Sequence, residues 1–195
     1  MDYTVLVNKD NLLDKDYMPD TLVEINEPTG AKIDVTYMNK LDAYAYQEFK
    51  LLQKEALSQG YEIFIDSSFR TYEYQKKLLN NFIERKGLDE AMRLCAPPGG
   101  SEHQTGLAID VLVRRNNEMI EDVNEDDPEL IWMRNNCYKY GYILRYPKGK
   151  EKITGYKYEP WHFRFVGIQA AIEMKENNIS TLEEYTVYKE KKQIT

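Results

Sequence analysis

Histidine and cysteine are both scarce, with two of each in 195 residues. The cysteines, Cys95 and Cys137, stand alone without CxxC spacing, so a four-ligand structural zinc site built on paired thiols is excluded. No apolar run approaches the roughly eighteen residues of a membrane-spanning helix. Basic residues are not in excess: 26 Lys and Arg face 33 Asp and Glu, for a net charge of −7. A nucleic-acid protein would instead carry a basic face. The opening MDYTVLVNKDNLLDKDYMPD lacks the basic-then-apolar order of a secretory signal, which points to the cytoplasm. A trimmed secreted or membrane-anchored form is the alternative. In a reducing compartment a disulfide is not expected.

What is present suits one globular unit. A hydrophobic share of 42% with sixteen tyrosines can build a real core at this length, with little room for a second one. The opening thirty residues read as an extended arm with strand-like pieces at 5–7 and 22–25. Leu41, Tyr44, Ala45, Phe49, Leu52 and Ala56 recur at helical spacing, so a helix is expected over 41–58, ended by Gly60. A strand follows at 61–65, then helices at 71–86, stopped by Gly87, and at 88–94. Residues 107–113 read as a strand and Asp127-Pro128 as a helix start, the helix running to about 140. Strands are expected at 141–145 and 153–166, separated by a polar loop over 147–152. Two helices then close the chain. No repeat, low-complexity segment or linker interrupts it. The order does not alternate strand and helix, so the fold class is α+β, a single domain with a mainly antiparallel central sheet flanked by helices. Its parts are an N-terminal arm (about 1–35), a core (about 40–170) and C-terminal helices (about 167–192).

Both histidines sit beside carboxylates. The first cluster is Ser101-Glu102-His103-Gln104-Thr105-Gly106-Leu107-Ala108-Ile109-Asp110, the second Tyr158-Glu159-Pro160-Trp161-His162-Phe163-Arg164. A catalytic zinc takes three protein ligands and keeps one position open, and His103, Asp110 and His162 can supply them. A straight strand would point His103 and Asp110 to opposite faces. A turn at Gly106 removes that conflict, and Pro160 does the same between Glu159 and His162 by forcing Glu159 extended. Spacing allows this site without demanding it. Taken singly, each cluster also reads as a surface hydrogen bond, or as a strand end with Trp161 in the core. Cys95, eight residues before His103, is weighed as a metal ligand and set aside as a small core residue.

SxHxxGxAxD over Ser101–Asp110, followed by ExxH over Glu159–His162, resembles the zinc D-Ala-D-Ala carboxypeptidases and dipeptidases of the VanY and VanXY type, the LAS metallopeptidases. Phe69-Arg70-Thr71 with Gln75 is similar to their YRSxxxQ element, and 141–147 and 153–156 to their approach to the second cluster. Phe69 stands where Tyr is commoner, and Pro98-Gly99-Gly100 is unusual before Ser101. The resemblance covers most of 61–167. It implies one zinc ion on His103, Asp110 and His162, with Glu159 as the catalytic base. Arg70 is implied to bind substrate carboxylate or oxyanion, and Gln75, Ser101 and Tyr146 to place the C-terminal residue. The implied partners are the D-Ala-D-Ala dipeptide or D-Ala-terminated peptidoglycan peptides. One alternative is an L,D-carboxypeptidase acting on wall tetrapeptides. Another, from a different class, is a zinc-containing binding module of the hedgehog type, although such a module has no need to keep Glu159 and Arg70 together.

Overall fold

Helix α1 (Ala43–Ser58) starts where Asp42 accepts hydrogen bonds from the backbone N–H groups of Tyr44 and Ala45, both at 3.0 Å. Thr71 does the same for α2 (Tyr72–Lys86) through Tyr74 N–H at 3.1 Å, and Gly87 ends it. The computed structural model describes residues 2–26 and 39–194. The other elements are β1 (Leu22–Glu24), β2 (Lys40–Asp42), β3 (Ile63–Ser67), α3 (Leu88–Leu94), β4 (Ala108–Arg115), β5 (Glu118–Ile120) and α4 (Pro128–Asn136). They continue with β6 (Tyr142–Leu144), α5 (Glu151–Thr154), β7 (His162–Phe165), α6 (Ile168–Glu176) and α7 (Leu182–Ile194). Short 3-10 turns cover Glu102–Thr105 and Cys137–Tyr140.

The main sheet runs β3-β4-β7-β6, with β5 as a hairpin partner of β4, and β1 pairs with β2. Every pairing is antiparallel, as expected from the element order. Strand β4 lies in the middle, and its alternation divides the labour between its faces. Leu107, Ile109, Val111 and Val113 join Phe49, Leu52, Ile63, Ile65 and Met133 in the main core. Asp110 therefore points to the other face. A second apolar cluster, centred on Val166, Ala171, Met174 and Leu182, packs the C-terminal helices onto the sheet.

Several expectations need correction. Residues 5–7 form no strand; the carbonyls of Tyr3 and Val5 instead accept from Arg164 Nη2, at 3.1 and 2.9 Å. Within 153–166 only 162–165 is strand: α5 ends at Gly155 in the left-handed region, and loop follows. The helix expected to 140 tightens into a 3-10 turn after Asn136. Hairpin strand β5 was not expected. Its turn is Asn116-Asn117, both at positive φ, a residue type that accepts this conformation. Part of the expected arm, 27–35, lies outside the described residues.

Two predictions follow from local geometry. Gly106 has φ +68°, and a Cβ there would sit 2.5 Å from Leu22 Cδ2. Gly106→Ala is expected to lower stability by about 1–3 kcal/mol in chemical denaturation, and an unchanged midpoint would refute the reading of this turn. Asp66 is the extra residue of a bulge, since Ile65 pairs with Val111 and Ser67 with Asp110. Burial pushes its carboxyl up to about 6, with Asp110 and Glu121 adding to the effect. The folded form thus holds this proton more tightly than the unfolded chain, and ionisation costs stability as pH rises from about 4 to about 6. Allowing for solvent screening, Asp66→Asn should be about 1–2 kcal/mol more stable than the wild type at pH 7.5. It should show no gain at pH 4, which melting curves at the two pH values will check.

Candidate active site

Asp110 is placed by register. Across the sheet it pairs with Ser67 of β3 on one side and with His162 of β7 on the other. The 3-10 turn over Glu102–Thr105, closed by Gly106 in the left-handed region, then folds His103 back over the same face. The conflict raised by a straight strand disappears as expected. On the second side, Pro160 and Trp161 make a turn in which His162 N–H donates to Glu159 O at 3.3 Å.

The two imidazoles are oriented differently. His103 Nδ1 lies 2.6 Å from Ser68 O, and a carbonyl only accepts, so the proton is on Nδ1 and the Nε2 lone pair faces Asp110 Oδ2 at 3.3 Å. His162 presents Nδ1 to Asp110 Oδ1 at 2.9 Å. The rings stand nearly perpendicular, with centroids 4.9 Å apart. Ligand-capable atoms of His103, Asp110 and His162 all lie within 4.8 Å of one another.

Electrostatics fit this group to a cation. Burial, then Arg70, lowers His103 to about 4, which keeps it a neutral donor. Burial opposes the charge of Asp110, but the Arg70 guanidinium beside it holds its carboxyl well below the usual range. Three carboxylates converge on His162: Asp110 at 2.9 Å, Glu102 at 3.7 Å and Glu159 at 3.7 Å. Burial works against a charge on His162, yet its carboxylate neighbours raise it to about 9. Two imidazoles and one carboxylate gathered around excess negative charge match the donor set of a three-ligand zinc site.

All eight residues singled out in the sequence line one cavity of about 290 Å³: Arg70, Gln75, Ser101, His103, Asp110, Tyr146, Glu159 and His162. Burial pushes the Glu159 carboxyl up to about 7. Arg70 Nη2 donates to Asp110 Oδ2 at 2.6 Å and to Ser67 Oγ at 2.8 Å, so the guanidinium sits against the metal-capable group. Gln75 Nε2 donates to Ala96 O at 2.9 Å, whereas its Oε1 is buried with no partner among the described residues. The Tyr146 ring packs 4.9 Å from that of His162. Sequence reasoning missed the apolar wall of Leu78, Phe82 and Leu94, and Tyr156 beside Tyr146. Helical spacing in α2 and α3 could have shown the first. Cys95 lies in the same wall, taking a hydrogen bond from Gln75 at 3.3 Å, with its thiol pushed up by burial to about 11. It is not in the metal-capable group.

The family model VanY: D-alanyl-D-alanine carboxypeptidase matches residues 38–168. The chain belongs to this family. The YodJ protein of Bacillus subtilis (strain 168) is 41% identical over 92% of this chain and 65% of its own length. The chain spans 47% and 64% of two further curated relatives, so about half to two thirds of all three. Among solved structures, the LdcB LD-carboxypeptidase superposes with a TM-score of 0.83 at 39% identity, over 93% of this chain and 84% of that one. A vancomycin resistance D,D-pentapeptidase VanY, solved in complex with Zn(II), gives 0.79 at 27% identity, over 95% and 99%. These likenesses extend beyond the matched VanY segment into both ends of the chain. They agree with the antiparallel α+β architecture. No described helix is long and apolar enough to cross a membrane.

Proposed function

We propose that residues 1–195 form one zinc-dependent D,D-carboxypeptidase or D,D-dipeptidase unit, which removes C-terminal D-Ala from peptidoglycan precursors or hydrolyses D-Ala-D-Ala. The observation that carries this reading is a carboxyl group raised to about 7, Glu159, set 3.7 Å from a metal-capable histidine in the same cavity. His103 Nε2, Asp110 and His162 Nδ1 would hold one zinc ion, which would supply Lewis acidity for activating water near neutral pH and polarising the scissile carbonyl.

The protein's own groups do the rest. Glu159, with its acidity matched to neutral pH, takes a proton from the attacking water and returns it to the leaving amine. Arg70 commits its Nε and Nη2 groups to Ser67 and Asp110, which leaves Nη1 for a substrate carboxylate or the developing oxyanion. The unpartnered Gln75 Oε1 accepts an N–H of the terminal residue, and Ser101 and Tyr146 help to seat it. The wall of Leu78, Phe82 and Leu94 suits a methyl side chain. Cutting D-Ala-D-Ala termini is the chemistry that a vancomycin-resistance role would use. A cytoplasmic location would give the protein free dipeptide and soluble pentapeptide precursors as substrates.

The likeness to an LD-carboxypeptidase supports a second reading, cleavage of wall tetrapeptides ending in L-Lys-D-Ala. The two separate in one assay. The zinc-loaded protein is incubated with D-Ala-D-Ala, with a pentapeptide ending in D-Ala-D-Ala and with a tetrapeptide ending in L-Lys-D-Ala, and free D-alanine is measured. Release from the first two is expected. Release from the tetrapeptide alone would replace D,D by L,D specificity, and no release from any would leave a binding module. Glu159→Ala should retain zinc by metal analysis and lose at least about 10²-fold in kcat. Surviving activity would show that the base is misassigned.

A further inference from the structure

Behind the site lies a charge network with no exposure at all. Glu102, Arg145 and Arg164 each have completely buried side chains. Glu102 Oε1 accepts from Arg145 Nε at 2.7 Å and from Arg164 Nη1 at 2.8 Å. Its other oxygen, Oε2, is buried with no hydrogen-bond partner among the described residues, and so is His162 Nε2. These two orphans face each other at 3.7 Å. That is beyond a hydrogen bond, but a shift of under about one ångström would make it one. The arginines thus spend one carboxylate oxygen and aim the other at the back of the imidazole.

Both arginines are held in turn by segments outside residues 38–168. Arg145 Nη1 and Nη2 donate to Glu183 of α7 at 2.9 and 2.7 Å, and Arg164 Nη2 holds the carbonyls of Tyr3 and Val5. Burying so many charges is expensive, and apolar residues of similar volume would often be at least as stable. A metal-bound histidine, however, needs its second ring nitrogen to carry a proton toward a fixed acceptor.

We propose that Glu102 is a positioning residue for the metal centre: its Oε2 keeps the proton of His162 on Nε2, so that a bare Nδ1 faces Asp110 and the cation. The inference rests on the zinc reading above. Through Arg145 and Arg164 the last helix and the N-terminal arm lock the same carboxylate.

Glu102→Gln tests it with little change in volume. Both arginines are donors only, so the amide oxygen must stay with them and its NH2 group turns toward His162 Nε2. Donor then meets donor, and the tautomer required for ligation through Nδ1 is disfavoured. The readouts are zinc affinity by competition with a chelating dye and a long-range 1H–15N spectrum of the zinc-loaded protein, which holds only two imidazoles. In the wild type, His103 should carry its proton on Nδ1 and His162 on Nε2. In Glu102→Gln, zinc should bind about 10- to 100-fold more weakly, and the His162 Nε2–H signal should weaken or vanish. A merely structural role would lower the melting temperature and leave both unchanged; that result overturns the proposal. Should Glu102→Gln not fold, Glu102→Asp keeps the charge for the arginines and draws the carboxylate back by one methylene. It should weaken zinc about 10-fold and speed solvent exchange of Nε2–H, and wild-type values for both would overturn the proposal. A wild-type protein that binds no zinc would overturn the zinc reading itself, and this inference with it.

Discussion

The antiparallel register of β4 is the constraint on which the site depends. It seats Asp110 between Ser67 and His162 in one row across three strands. Because a strand alternates its faces, the residues that bury β4 in the core also fix which way Asp110 points. A slip of one residue would turn Asp110 into the apolar cluster and bring Ile109 or Val111 to the cavity. The packing of Leu107, Ile109, Val111 and Val113 therefore specifies the metal-capable geometry as firmly as His103, Asp110 and His162 do. His103 alone is placed from outside the sheet, by a turn that depends on Gly106.

Around this row, charge is arranged in two shells with different tasks. At the cavity, Arg70 and the two imidazoles face Asp110 and Glu159, and burial tunes each group in a different direction: His103 down, Glu159 up. Behind it, Arg145 and Arg164 hold Glu102 ionised although it is fully buried, because their attraction exceeds the cost of desolvation. The inner shell suits chemistry near neutral pH. The outer shell leaves one oxygen of Glu102 facing the far side of the His162 ring at 3.7 Å.

Much of this was legible in the sequence because the signals were local. Thr71 and Gly87 bracket α2 by capping chemistry, and residues 88–94 are helix as expected. The scarcity of histidine narrowed the metal-capable residues to two short clusters, and Gly106 marked the turn that brings them together. What escaped depends on distant partners. Residues 5–7 look like a strand by composition, but the Val5 carbonyl is taken by an arginine more than 150 residues away and no ladder forms there. Residues 153–161 follow tyrosine-rich strand composition, yet Gly155 at φ +77° turns the chain out of α5 into a loop. Glu102 read as a neighbour of His103. Only the fold turns its side chain toward His162, since that contact spans 60 residues.

The most direct measurement of the central claim is X-ray absorption at the zinc edge of the purified, zinc-loaded protein. One zinc per chain is predicted, with nitrogen and oxygen neighbours at about 2.0–2.2 Å, two of them imidazoles. A sulfur neighbour at about 2.3 Å would bring Cys95 into the shell, and zinc without imidazole scattering would place it elsewhere. Either result would contradict a site built on His103, Asp110 and His162.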